Sequence, residues 1–140
     1  MKEENNNLEF SMHMEKNRKA TFVDWPYDDE SCLCNSKNMA EAGFFRLKSE
    51  NEPDLVKCFV CLKQLDGWEP EDDPWKEHKY HSSKCAFIKL NKKECDWTMD
   101  DFLKIEAERQ KSRVRFHIEQ QIEHYKQEAV KSREFIEKII

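Results

Sequence analysis

From Ile118 onward the apolar positions fall at Ile118, Ile122, Tyr125, Ala129, Ile136 and Ile139, alternating four and three apart once Ser132 is placed in the gap. This is the repeat of a heptad seam, a stripe by which one helix faces others. Val114, Phe135 and Ile140 flank the seam and widen it enough for more than one partner helix. No Gly or Pro occurs from Thr98 to Ile140, whereas both Gly residues and all four Pro residues lie before position 75. Thr98 and Asp101 have the spacing of a capping box, and Asp100 adds a second acid to the positive first turn. The pattern predicts one helix over 99–140, on the order of 60 Å long. The front domain, at about 70 to 80 residues, has a radius of gyration of about 11 to 12 Å, so the helix is expected to project beyond it. Residues 1–17 read as a flexible polar arm, 18–90 as the folded domain and 91–98 as a linker.

Composition explains why the domain needs more than its apolar residues. The chain has 140 residues, 38% of them charged, and a mean hydropathy of −1.00. A core this small usually requires disulfides or a metal. No apolar run approaches the roughly 20 residues that span a bilayer, and the opening MKEENNNLEF lacks a signal peptide's apolar centre. The expected setting is therefore cytosol or nucleus, with no membrane partner, where reducing conditions make six cysteines ligands or buried thiols. Residues 1–97 carry a net charge of −5 and residues 98–140 a net charge of zero. Neither half has the basic, aromatic-laced surface of a nucleic-acid reader, and direct nucleic-acid binding is not expected.

One stretch, 58-CFVCLKQLDGWEPEDDPWKEHKYHSSKC-85, supplies the staple. Cys58 and Cys61 are a CxxC, a turn short enough to place two thiolates on one ion. Sixteen residues then lead to His78, and six more to Cys85. Cys3His is a closed, tetrahedral zinc set with no open position for activating water, so the ion is structural. His81 competes with His78 for the fourth place. Cys32, Cys34 and Cys95 are weaker candidates; on an extended segment the CxC spacing points its two thiols to opposite sides, and these residues read as buried or half-buried free thiols.

The residues 18-RKATFVDWPY-27, 39-MAEAGFF-45, 58-CFVC-61, Trp68, His78 and 85-CAFI-88 resemble the baculoviral inhibitor-of-apoptosis repeat, or BIR domain. A single repeat followed directly by a long helix is similar to the one-repeat branch of that family. The resemblance implies an α+β zinc domain with a short three-stranded antiparallel sheet, followed by one long C-terminal helix, with Cys58, Cys61, His78 and Cys85 holding one structural zinc. It also implies a surface groove for peptide N-termini, which this branch uses to read a histone tail beginning Ala-Arg-Thr-Lys with its threonine phosphorylated. Carried over, Asp66 and Asp72 take the terminal ammonium, Leu65 and Trp68 pocket the alanine methyl, Lys63 and His81 face the phosphate, and Glu52 faces the arginine. The chemistry is consistent: an α-amino group is cationic near neutral pH, and a phosphate suits a lysine and a protonatable histidine. Asp66 stands where the family more often has glutamate, which shortens that reach by one methylene.

For the helix, the resemblance implies a three-helix bundle with borealin and the inner centromere protein. That assembly, the chromosomal passenger complex, carries an Aurora kinase to centromeres and later to the spindle midzone and midbody, giving a chain found in nucleus and cytoplasm. Trp97, Met99 and Phe102 read as packing of the linker onto the domain and, as the resemblance implies, as the homodimer interface the family has there, two roles that are compatible. The expectation is a non-enzymatic adaptor. The alternative is an apoptosis inhibitor acting on caspases or their antagonists through the same groove. A RING-type ubiquitin ligase is excluded for this chain, since after Cys95 only His117 and His124 remain as ligand types. Relatives often carry a Thr-Pro after the CxC; here Asn35-Ser36 follows, so control by a proline-directed kinase at that place is not expected.

Overall fold

Gly43 turns the chain from its third helix into its sheet, and only glycine fits there. Its φ is +91°, and a Cβ would come within 2.8 Å of the Phe87 ring. The computed structural model describes the backbone of residues 2–140 and the side chains from residue 7. Three short helices come first, α1 (Lys2–Ser11), α2 (Glu15–Ala20) and α3 (Ser36–Glu41). Strands β1 (Phe44–Arg46), β2 (Val56–Cys58) and β3 (Gln64–Leu65) follow, then helices α4 (Pro74–His81) and α5 (Ala86–Leu90), a 3-10 turn (Glu94–Asp96) and α6 (Met99–Ile139).

The sheet is antiparallel, in the order β1-β2-β3. Phe44 pairs with Cys58 and Val56 with Leu65, so β2 is central and β3 leaves one edge unpaired by any strand among the described residues. One core backs the sheet: Met39, Phe44, Val56, Phe59 and Val60 are almost wholly buried. Aromatic edges meet faces across it, with Phe22 against Trp25 at 5.0 Å, Phe59 against Phe87 at 5.3 Å and Phe44 against Trp68 at 5.7 Å. These residues come from five separate stretches. The sheet is too short to hold them alone, which is why the cysteine and histidine cluster on its margin matters.

A buried charge closes the N-terminal side. The Arg18 guanidinium donates to the carbonyls of Ala40 (3.0 Å), Met12 (2.9 Å) and His13 (3.0 Å) and lies 4.5 Å over the Phe59 ring. Burial lowers its pKa to about 10, which leaves it charged at neutral pH. Three carbonyl acceptors and a ring face replace its lost water.

The flexible arm expected before residue 18 needs correction. Lys2–Ser11 is helical, and Met12 and His13 are buried; residue 1 lies outside the described residues. Phe10 packs edge-on to Phe102 at 6.2 Å, His13 Nε2 is 2.8 Å from Glu106 Oε2, and Glu9 faces Arg113 at 3.6 Å. A few apolar side chains in a polar stretch thus find a ready surface on α6. No regular apolar period marked them in advance.

The long helix agrees with expectation to one residue. Thr98 accepts from the Asp101 amide and Asp101 accepts from the Thr98 amide, a complete capping box. Lys92 joins it through a 2.9 Å ion pair with Asp101. Asp101, Ile105 and Arg109 lie four apart and are buried against the domain, whereas every residue from 114 is exposed. The free part runs roughly 40 Å at 1.5 Å per residue. Of the three residues considered for a homodimer interface, two already serve the chain itself. Phe102 is covered by Phe10 and His13, and Trp97 lies against Phe87 with its Nε1 donating to Lys92 O at 3.2 Å; Met99 stays 73% exposed. No helix is long and apolar enough to cross a membrane among the described residues.

Hydrogen bonds from Arg109 and Gln110 and the charges of Arg109 and His13 outweigh burial and hold the Glu106 carboxyl at about 2. Glu106→Ala is expected to cost about 1 to 2 kcal/mol in urea unfolding at pH 7. Hydrogen exchange should quicken at the Met12 and His13 amides while the sheet stays protected. Unchanged exchange there would mean that Glu106 does not hold the N-terminal segment.

Candidate metal centre and peptide groove

Cys58 ends β2, and the chain folds back at once. The Cys58 amide donates to Lys63 O (3.0 Å) and the Leu62 amide to Cys58 O (3.1 Å), with Leu62 at φ +63°. A β-strand cannot place two thiols three residues apart on one ion, and this tight knuckle can. The left-handed Leu62 costs about 1 to 2 kcal/mol, which the bound ion would offset.

α4 supplies the imidazole. Asp73 caps it, accepting from the Trp75 amide at 3.0 Å, and Pro74 occupies its first turn, where no amide donor is needed. His78 is completely buried one turn further on. Its Nδ1–H donates to Ala42 O at 2.7 Å, so the Nε2 lone pair faces the thiols. Cys85 stands at the start of α5. The four ligand atoms lie within 4.8 Å of one another.

The spacing fits a tetrahedron. Zn–S bonds of about 2.3 Å and Zn–N bonds of about 2.05 Å give edges of about 3.8 Å between sulfurs and about 3.6 Å between sulfur and nitrogen. Cys58 Sγ and Cys85 Sγ are 3.8 Å apart, and Cys61 Sγ and His78 Nε2 are 3.6 Å apart. A disulfide would need about 2.05 Å. Electrostatics point the same way. Burial pushes the Cys58 thiol far up, whereas hydrogen bonds from Cys58 and Cys85 hold Cys61 far down. Burial alone would lower His78, but the neighbouring Cys61 and Cys85 thiols raise it, so the cluster favours a cation at Nε2, whether a proton or a metal. The donor set and its spacing fit a tetrahedral ion, and these residues could hold one zinc ion.

His81 takes no part. It is exposed and pairs with Glu77 at 3.4 Å, so the fourth ligand position belongs to His78. Cys32, Cys34 and Cys95 also lie outside the cluster among the described residues; Cys34 is buried, Cys32 half-buried and Cys95 exposed.

The acidic run follows β3. Glu52, Lys63, Asp66 and His81 are exposed, Leu65 and Asp72 half-buried, and Trp68 only 5% exposed. Trp68 therefore serves the core as much as a groove: its ring lies against Phe44, and its Nε1–H has no protein partner. Asp72 Oδ2 accepts from the Glu69 amide and Asp54 Oδ2 from the Trp68 amide, each at 2.8 Å. Asp54 was not singled out in the sequence, because a carboxylate in a polar loop gives no sign that it holds the amide of a loop residue fourteen positions on. Asp66 makes no such bond and points its charge to solvent beside the free edge of β3.

Cys58→Ala or Cys85→Ala is expected to abolish zinc uptake and unfold residues 18–90, as read by elemental analysis and near-ultraviolet circular dichroism. A soluble, native-like Cys58→Ala protein without metal would contradict this. His78→Ala should behave like the cysteine variants. His81→Ala should keep one zinc per chain.

The geometry agrees with comparisons to known proteins. The family model "BIR: Inhibitor of Apoptosis domain" matches residues 18–89. Baculoviral IAP repeat-containing protein 5.2 of Xenopus tropicalis is 45% identical over 131 residues, covering 94% of this chain and 83% of its own. Baculoviral IAP repeat-containing protein 5 of Cavia porcellus is 39% identical over 130 residues, covering 93% and 91%. The related protein 5.1 of Xenopus tropicalis is 55% identical over 95 residues, or 68% of this chain and 59% of its own. With a single repeat, its four metal-ligand side chains brought together and a helix of 41 residues behind it, the chain belongs to the inhibitor-of-apoptosis repeat family, in its survivin group.

Proposed function

We propose that the chain is a non-enzymatic adaptor of the chromosomal passenger complex. Its BIR groove reads an Ala-Arg-Thr-Lys histone tail phosphorylated on threonine, and its helix holds borealin and the inner centromere protein. The observation that carries the reading is the free edge of β3 with a half-buried Leu65 and two carboxylates, Asp66 and Asp72, just beyond it. An extended peptide can add to such an edge through its backbone, and side-chain pockets then choose its sequence. The terminal ammonium meets the carboxylates, and the alanine methyl meets Leu65 and the exposed margin of Trp68. Lys63 and His81 take the phosphate, and Glu52 the arginine. Because a Cys3His zinc has no free coordination position, the metal shapes this surface and does no chemistry on the peptide.

The other end of the adaptor is the free part of α6. Ile118, Ile122, Tyr125, Ile136 and Ile139 are each about half exposed or more, an apolar stripe that a lone helix cannot bury. Partner helices from borealin and the inner centromere protein would cover it. The chain then supplies address and scaffold, at centromeres first and the spindle midzone and midbody later, while the Aurora kinase supplies catalysis. The match to an inhibitor-of-apoptosis model favours one second reading, in which the same groove takes the N-terminal peptides of caspase antagonists.

Calorimetric titration separates the two. The phosphorylated Ala-Arg-Thr-Lys peptide is expected to bind about tenfold or more tightly than the unphosphorylated one, and acetylation of its N-terminus should weaken it by at least as much. Equal binding of all three, or none, would defeat the histone reading. Tighter binding of an unphosphorylated Ala-Val-Pro-Ile peptide would select the apoptotic one.

A further inference from the structure

The acidic run is held from behind by the loop between α2 and α3. Three successive carbonyls each accept a hydrogen bond from that loop. The Tyr27 hydroxyl donates to Trp68 O, Cys34 Sγ to Glu69 O at 3.2 Å, and the Leu33 amide to Pro70 O at 2.8 Å. On the opposite side the amides of Trp68 and Glu69 are taken by Asp54 and Asp72. From Trp68 to Pro70 the backbone donors and acceptors are therefore all paired inside the chain. It presents side chains to a ligand, and it cannot turn without breaking bonds to the loop.

The loop is itself well anchored. Trp25 Nε1 donates to Cys34 O at 2.8 Å, Asp28 accepts from the amide and hydroxyl of Ser36, and Asn35 caps α3. Burial, and then the neighbouring Cys32, pushes the Cys34 thiol up to about 11. It stays protonated at neutral pH and remains a donor, in keeping with its place outside the metal cluster. Tyr27 is half-buried, with its ring edge-on to Trp25 at 5.8 Å, so ring packing and hydroxyl bond are separable.

We propose that Tyr27 and Cys34 are positioning residues of the peptide groove, capping the carbonyls of Trp68 and Glu69 so that the backbone between Asp66 and Asp72 is fixed before an ammonium arrives. The inference rests on the groove reading above and adds to it: selectivity for a free N-terminus depends on residues some forty positions upstream that never touch the peptide. A carboxylate on a loose turn attracts any cation. One on a braced turn favours a charge at a set distance, because no ordering is left to be done on binding.

Tyr27→Phe keeps the ring and removes only the hydroxyl bond. Its zinc content and melting temperature should match the parent, while hydrogen exchange quickens at the Glu69 and Asp72 amides. Affinity for the free-N-terminus, phosphorylated Ala-Arg-Thr-Lys peptide should fall about three- to tenfold, the effect of one hydrogen bond. The acetylated peptide should bind as before, so the discrimination ratio falls. Cys34→Ala should act in the same way, and Cys34→Ser, which keeps a donor, should restore the ratio; the exposed Tyr80→Phe should change nothing. If the parent protein ignores the peptide, the groove reading fails and this role fails with it. If the parent binds and Tyr27→Phe discriminates equally well, the positioning role alone is overturned. Lost affinity that merely follows lost zinc or a lower melting temperature also overturns it.

Discussion

Three thiols and one imidazole, converging from a strand end, a helix and the start of a second helix, are the constraint on which this fold depends. Cys58 and Cys61 sit on the knuckle after β2, His78 in α4 and Cys85 at the head of α5. The sheet they border has strands of three, three and two residues, too little ladder to order a domain unaided. Without an ion, three thiols and an imidazole would be packed together with little but one another as polar partners. A zinc ion would give them four bonds and, because the unfolded chain has no such site, its binding would become folding free energy.

The consequences run outward from the cluster. Its imidazole is fixed by Ala42, the residue before the Gly43 turn, so the cluster is also tied to the end of α3. α4 begins at Pro74, capped by Asp73 at the end of the acidic run, and ends at His81, one turn past the buried ligand. The same short helix therefore carries a ligand on its inner face and an exposed histidine at its end. A bound ion would thereby set the geometry of a surface it does not touch. On the far side the capping box at Thr98 and Asp101, with Lys92 joined to it, sets where α6 leaves the domain.

How much of this was legible in the sequence depended on whether the signal was local. The capping box, the absence of helix breakers and the heptad spacing are local, and α6 begins at Met99 as expected and ends one residue early. The ligand spacing is semi-local: the residues alone left His78 and His81 in competition, the family resemblance favoured His78, and burial with the Ala42 bond agrees. The N-terminal arm was misread because Phe10, Met12 and His13 gain meaning only against Phe102 and Glu106, some ninety residues away. The brace behind the groove was invisible for a similar reason. Tyr27, Leu33 and Cys34 act through hydrogen bonds to carbonyls, which no side-chain pattern in the acidic run reveals. Trp68 also packs in the core, 5% exposed with its ring against Phe44, which a tryptophan near a turn does not reveal in a one-dimensional reading.

The central claim is that one closed zinc site organises the domain. It is tested most directly by titrating the purified protein with a strong chelator while following released zinc and the near-ultraviolet circular dichroism of its buried tryptophans. The account predicts one zinc per chain, with the tertiary signal lost in step with its release and restored on adding zinc back. A tertiary signal that survives complete removal of the metal would contradict it.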